Sequence, residues 1–118
     1  MRIVVTGSRY QEDMGFVSAR LDAIHANRPI TRLAHGDCKG TDTLAAEWAT
    51  SRGIETAAYP ADWERWGRGA GPRRNAEMLE AEHPDLVIAF PGGRGTADLV
   101  AKAVRRGIAV IQGMSRLR

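Results

Sequence analysis

A chain of 118 residues is long enough for one domain with one hydrophobic core and short for two. Its 43% hydrophobic and 26% charged residues suit a globular protein, no apolar run approaches membrane-spanning length, and a single cysteine, Cys38, excludes an internal disulfide. The net charge of +3 is carried by dispersed basic residues, densest at Arg73-Arg74, Arg105-Arg106 and the Arg116-Leu117-Arg118 tail, which suits a phosphate-bearing ligand and gives little support to a nucleic-acid partner.

Arg2 to Thr6 reads as a strand that ends in the turn Gly7-Ser8-Arg9. No leader peptide precedes it, so the cytoplasm is the expected compartment. Asp13 is placed to cap a helix whose Met14, Val17, Leu21 and Ile24 share one face, and Asn27-Arg28-Pro29 ends it. A second strand, about Thr31 to His35, runs into Gly36-Asp37-Cys38-Lys39-Gly40-Thr41-Asp42. The helix that follows is expected from Asp42 or Thr43, with Asp42 as its cap. It buries Leu44, Ala45, Trp48 and Ala49 and closes at Arg52-Gly53-Ile54. Glu55 to Tyr59 is the third strand.

Pro60 to Pro72, with Asp62, Trp63 and Trp66, is expected to be the least regular region. Pro72 then opens a helix with Arg73, Arg74 and Asn75 in its first turn, packed through Ala76 and Leu79 and stopped at Pro84-Asp85. Leu86 to Phe90 is a buried strand, and Pro91-Gly92-Gly93-Arg94-Gly95-Thr96 turns it into a helix carrying Leu99, Val100, Ala103 and Val104 on its apolar face. Arg106-Gly107-Ile108 ends that helix, Ala109-Val110-Ile111 is strand five, and the chain is expected to fray from Gly113.

Five strands alternating with four helices, in strands apolar on both faces, predict a doubly wound, mostly parallel α/β sheet with helices on both faces, one domain over 1–118. Such sheets bind ligands beyond the carboxyl ends of the strands, where strand order reverses. If the first and fourth strands are neighbours, the turns at Gly7 and Gly92 flank that crevice.

Three strand ends are marked by glycine: Gly7-Ser8-Arg9, Gly36 to Asp42, and Gly92 to Thr96. Glycine lets a ligand approach the backbone, and a helix start offers unpaired N–H groups and a positive dipole end, so the set predicts phosphate binding. Pro91, Gly92, Gly93, Arg94, Gly95 and Thr96 form the central cradle. Gly7, Gly36 and Gly40 bring further backbone close, and Ser8 and Thr96 add hydroxyls. Arg9 is placed to clamp a phosphate bidentately. Asp37 is a candidate for a ribose hydroxyl, and Lys39 either meets a phosphate or is solvated. Arg73-Arg74-Asn75 at a helix start sets two cations against the dipole preference, which an anion nearby, met by Arg74 and Asn75, would repair. Trp63 stacks on a base or packs, and Trp66 is read as packing or an interface. Cys38 near His35 reads as a buried thiol, and no metal ligand set or cofactor is expected.

These motifs together resemble the SLOG superfamily, the group of the lonely-guy phosphoribohydrolases and the DNA-processing DprA proteins. More narrowly they resemble its small YspA/YpsA-like members, a family of unknown function. The matching pieces are Val5 to Arg9, His35 to Asp42, Tyr59 to Trp63, Gly71 to Asn75 and Pro91 to Thr96. The resemblance implies a Rossmann-like fold, a nucleotide-like ligand over the Pro91 turn and a homo-oligomer. It also raises a nucleotide N-glycoside hydrolase and, on the DprA side, single-stranded nucleic-acid binding. The lonely-guy hydrolases carry a glutamate three residues after the turn threonine; here that place is Leu99, and Asp98 or Asp37 is the available substitute carboxylate.

Overall fold

The alternation of apolar strands and amphipathic helices closes into a single five-stranded sheet. The computed structural model describes residues 1–112, so the expected fraying from Gly113 lies outside the described residues. In chain order the elements are β1 (Arg2–Thr6), α1 (Met14–Asn27), β2 (Arg32–His35), α2 (Thr41–Ser51), β3 (Glu55–Ala58), α3 (Trp63–Trp66), a 3-10 turn (Gly67–Gly69), α4 (Ala70–Glu82), β4 (Leu86–Ala89), α5 (Arg94–Arg105) and β5 (Ala109–Ile111). The strand order is β3-β2-β1-β4-β5, and all four pairings are parallel. This is the Rossmann-like doubly wound arrangement. Its reversal falls between β1 and β4, which pair from Ile3 with Leu86 to Thr6 with Ala89.

Successive strand residues point to opposite layers, which explains why Ile3-Val4-Val5 of β1 and Leu86 to Ala89 of β4, at the centre of the sheet, are apolar on both faces. Ile3, Val5, Leu33, Ile88 and Phe90 pack with Val17 and Leu21 of α1 and Ala45, Trp48 and Ala49 of α2. Val4, Ala34 and Val87 pack on the other face with Met78 and Leu79 of α4 and Leu99 and Ala103 of α5. Trp48 is fully buried, and its indole N–H donates to Asp22 Oδ1 (2.8 Å), so this large ring leaves no polar atom unpaired. Glu82, buried at the end of α4, accepts from Arg2, Arg32 and the Tyr59 hydroxyl and ties β1, β2 and the segment just after β3 to that helix. Among the described residues no helix is long and apolar enough to cross a membrane.

Several boundaries differ from expectation. Asp13 caps α1 as expected, accepting from the Phe16 N–H (3.0 Å). The region expected to be irregular instead winds into α3, because Asp62 accepts from the Arg65 N–H (3.1 Å) and supplies a cap. Continuing through the 3-10 turn, α4 starts at Ala70, so Pro72 is its third residue and Arg73 and Arg74 its fourth and fifth. The predicted clash of cations with the first helical turn therefore does not arise. α5 starts at Arg94, which places Gly95 and Thr96 inside its first turn. Val104, expected on the apolar face, is 61% exposed. Trp66, read as packing or an interface, is 39% exposed and lies beneath the guanidinium groups of Arg73 (3.6 Å) and Arg65 (4.7 Å).

Candidate functional site

Beyond β1 and β4 the chain makes two turns that hold each other. The Phe90 N–H donates to Thr6 O and the Ser8 N–H to Pro91 O, each at 2.9 Å, extending the strand pairing past the sheet. The hydroxyls of Thr6 and Thr96 meet at 3.3 Å across the same seam. Gly92 must lack a side chain here: a Cβ would lie 2.3 Å from Thr96 Oγ1 and 3.0 Å from Gly7 C and Ser8 N.

The start of α5 is bare. Gly93 is its N-cap and offers no side-chain cap, and the first backbone donor into the helix is Ala97, to Gly93 O at 3.1 Å. The N–H groups of Arg94, Gly95 and Thr96 precede it and lack an intrahelical acceptor. Three donors and the positive end of a 12-residue helix thus converge on one point.

The β2–α2 loop is built differently. Asp42, in the first turn of α2, folds its carboxylate back to accept the N–H of Gly36 (3.0 Å) and of Cys38 (3.3 Å). The Asp37 N–H donates to His35 Nδ1 (3.0 Å), and the N–H and hydroxyl of Thr41 both donate to Ser8 O (3.0 Å each). The expected cap role of Asp42 is therefore corrected: Gly40 is the N-cap, without a side-chain bond, and Asp42 braces the loop. Of the phosphate donors expected in this loop, the Gly36 N–H already meets an anion that the chain supplies itself. Burial pushes the Asp42 carboxyl up from 3.8 to about 6, with the two N–H groups and the nearby Arg74 charge pulling the other way. Burial likewise lowers His35, keeping its imidazole neutral.

A raised carboxyl pKa means that the folded state holds the Asp42 proton more tightly than the unfolded state does. Stability from this group therefore grows as pH falls from about 6 towards 4, and the ionised form costs about 3 kcal/mol above that window. Urea unfolding of the wild type and Asp42→Asn is expected to show the difference between them moving in favour of the wild type by about 1–2 kcal/mol between pH 7 and pH 4.5. A difference independent of pH would rule this coupling out.

Arg74 was expected to meet an anion. It is buried instead, with Nη1 donating to Gly36 O and to Tyr59 O (3.2 Å) and Nε to Asn75 Oδ1 (3.0 Å). Asn75 passes the connection on, its Nδ2 donating to Gly95 O (3.2 Å) and Asp98 Oδ2 (3.0 Å). The pair ties the ends of β2 and β3 to the first turn of α5, and Arg74 is first of all a brace.

Between these parts lies a cavity of about 870 Å³. Gly7, Ser8, Arg9, Gly36, Trp63, Arg74, Asn75 and the whole run from Pro91 to Thr96 line it, and so does Asp98. Asp37, Lys39 and Gly40 do not: Asp37 and Lys39 point to solvent, and Gly40 is pressed against the backbone of Ser8 and Arg9. Asp37 and Lys39 thus stand outside the cavity wall, beside Gly36 and Cys38, which line it. Sequence reasoning missed Tyr10, 82% exposed, and Arg68 of the 3-10 turn, both on the cavity wall. Tyr10 follows the first glycine turn directly and was open to notice; Arg68 sits in a stretch with no periodic pattern. The Trp63 ring lies over Gly71, 3.2 Å from where a Cβ would stand, and keeps 51% of its surface free.

Residues 1–66 match the family described as YspA, cpYpsA-related SLOG. The Gene 61 protein of Mycobacterium phage D29 is 36% identical, over 93% of this chain and 94% of its own length. The chain belongs to the YspA, cpYpsA-related SLOG family. Among solved structures, the DNA processing protein A (DprA) of Streptococcus pneumoniae superposes with a TM-score of 0.49 at 20% identity, over 93% of this chain and 58% of that one.

In this SLOG domain Leu99 is 1% exposed and packs among Val4, Met78 and Val87, so the position of the lonely-guy glutamate belongs to the core. The neighbouring Asp98 reaches the cavity wall. Partial burial raises its pKa, but the Lys102 ammonium (2.6 Å) and the Asn75 amide more than offset this and hold the carboxylate below its ordinary range. It is an ionised, anchored group at neutral pH.

Proposed function

We propose that this SLOG domain binds a nucleotide or nucleotide-derived ligand, as a sensor, carrier or sequestering protein. The observation that carries the reading is the bare start of α5 opening into the 870 Å³ cavity at the reversal between β1 and β4. Phosphate oxygens sit against the N–H groups of Arg94, Gly95 and Thr96, with the hydroxyls of Ser8 and Thr96 in reach of the same space. Arg9 and Arg94 neutralise charge, and Trp63 offers a ring face to a base. Calorimetry against nucleoside mono-, di- and triphosphates, ADP-ribose and cyclic nucleotides is expected to find a ligand with a dissociation constant of about 100 μM or tighter. Silence from every phosphorylated nucleoside would sink the proposal.

A second reading, an N-glycoside hydrolase acting on nucleotides, is favoured by Asp98 alone. An ionised carboxylate on the cavity wall suits stabilisation of an oxocarbenium-like centre. If free base is released from a nucleotide, Asp98→Asn is expected to abolish release while leaving nucleotide affinity within a few-fold. Unchanged turnover excludes Asp98 as the essential carboxylate.

A further inference from the structure

Three arginines reach the cavity from separate parts of the chain: Arg9 after β1, Arg68 in the 3-10 turn, and Arg94 at the start of α5. All three are exposed, and the side chain of none makes a hydrogen bond or ion pair with another described residue. Other arginines are committed: Arg2 and Arg32 hold Glu82, Arg52 holds Asp22, and Arg65 and Arg73 cover the Trp66 ring. The acidic side chains of the cavity do not compensate the three. Asp42 is satisfied by the Gly36 and Cys38 N–H groups, and Asp98 by Lys102 and Asn75.

A phosphate monoester carries about two negative charges at neutral pH, which the α5 terminus and one guanidinium suffice to receive. Here two more unpaired guanidinium groups face the same space. The cavity is also near the upper end of the roughly 300–1,000 Å³ that small-molecule sites occupy. Two exposed aromatic rings, Tyr10 and Trp63, stand on its wall beside this charge. The surplus of unpaired positive charge calls for a second phosphate, and the rings call for a base.

We infer that the site selects nucleotides carrying a diphosphate or longer phosphate chain over nucleoside monophosphates, Arg9, Arg68 and Arg94 receiving the phosphate beyond the one on α5. The inference rests on the nucleotide-binding reading above. A free nucleoside diphosphate and a pyrophosphate-bridged dinucleotide share this chemistry, and they differ in whether the distal phosphate is terminal.

Calorimetry at fixed ionic strength with AMP, ADP, ATP, NAD and inorganic pyrophosphate tests it on the wild type and on Arg9→Ala, Arg68→Ala and Arg94→Ala. ADP is expected to bind at least about tenfold tighter than AMP. Each substitution is expected to weaken ADP by a larger factor than AMP, narrowing that ratio, with the circular dichroism spectrum unchanged. ADP and ATP binding tighter than NAD identifies a terminal phosphate chain, and NAD binding as tightly as ADP identifies a bridged one. Pyrophosphate weaker than ADP supports the contribution of the rings. AMP binding as tightly as ADP, or substitutions that weaken both equally, overturns the inference and leaves the general nucleotide reading standing. Absence of binding by every nucleotide overturns both.

Discussion

Gly40→Ala is expected to destabilise the protein by about 3–5 kcal/mol, a large share of the ordinary stability of a domain of this size. Gly40 is the N-cap of α2 at φ 76° and ψ −124°, a conformation that an L side chain rarely adopts. The added methyl would also stand 2.4 Å from Ser8 O and 2.5 Å from Arg9 C and O. These are backbone atoms, so no side-chain rotation relieves the overlap. Relief requires the β1–α1 loop to move away from α2, which strains the bonds from the Thr41 N–H and hydroxyl to Ser8 O. Gly53→Ala separates the two causes. Gly53 has φ 70° and open space around it, so only the backbone penalty of about 1 kcal/mol applies there. Urea unfolding with unchanged m-values measures both. Equal losses at the two positions would refute the contact argument.

Gly93→Ala is expected to do the reverse, leaving the fold intact and weakening nucleotide binding by at least about 100-fold. Gly93 has an ordinary φ of −101°, and a Cβ built on it meets nothing within 4 Å. Yet Gly93 lines the cavity and immediately precedes the three free N–H groups of α5. A methyl there takes the space through which a phosphate approaches the backbone. The melting temperature is expected to stay within about 2 °C, corresponding to a few tenths of a kcal/mol. Gly92→Ala, whose methyl collides with Thr96 and with the backbone of Gly7 and Ser8, is expected to lose stability as well as binding. Undiminished affinity in Gly93→Ala would mean that no phosphate approaches this turn.

Local signals in the sequence were reliable where the physics is local. The apolar run Leu86 to Ala89, the cap at Asp13 and the C-terminal glycines after α2 and α5 were all readable from neighbours within a few residues. The glycine-rich run after β4 was readable because its turn and its helix start involve adjacent positions, whereas its close approach to Gly7 comes from the pairing of β1 with β4. Asp42 was misread because a carboxylate at a helix start has two good uses. Capping its own helix and bracing the preceding loop look alike in sequence, and the choice depends on where Gly36 and Cys38 turn their N–H groups. The bracing role of Arg74 was not legible because its acceptors are carbonyls 38 and 15 residues away in sequence.

The sequence by itself determined the five strands, the parallel doubly wound class, the family and the strand-to-helix turn from Pro91 to Thr96. Strand periodicity, glycine placement and helix caps act over short spans of chain and are written there directly. The tertiary structure decided what the backbone donors of the glycine turns meet. In the β2–α2 loop Asp42 takes the Gly36 and Cys38 N–H groups and Ser8 O takes that of Thr41; at the start of α5 the N–H groups of Arg94, Gly95 and Thr96 face no carboxylate among the described residues. That difference arises from contacts between residues brought together by the pairing of β1 with β4 and by the packing of α2 against the β1 turn. Such contacts leave no mark in the spacing of residues along the chain.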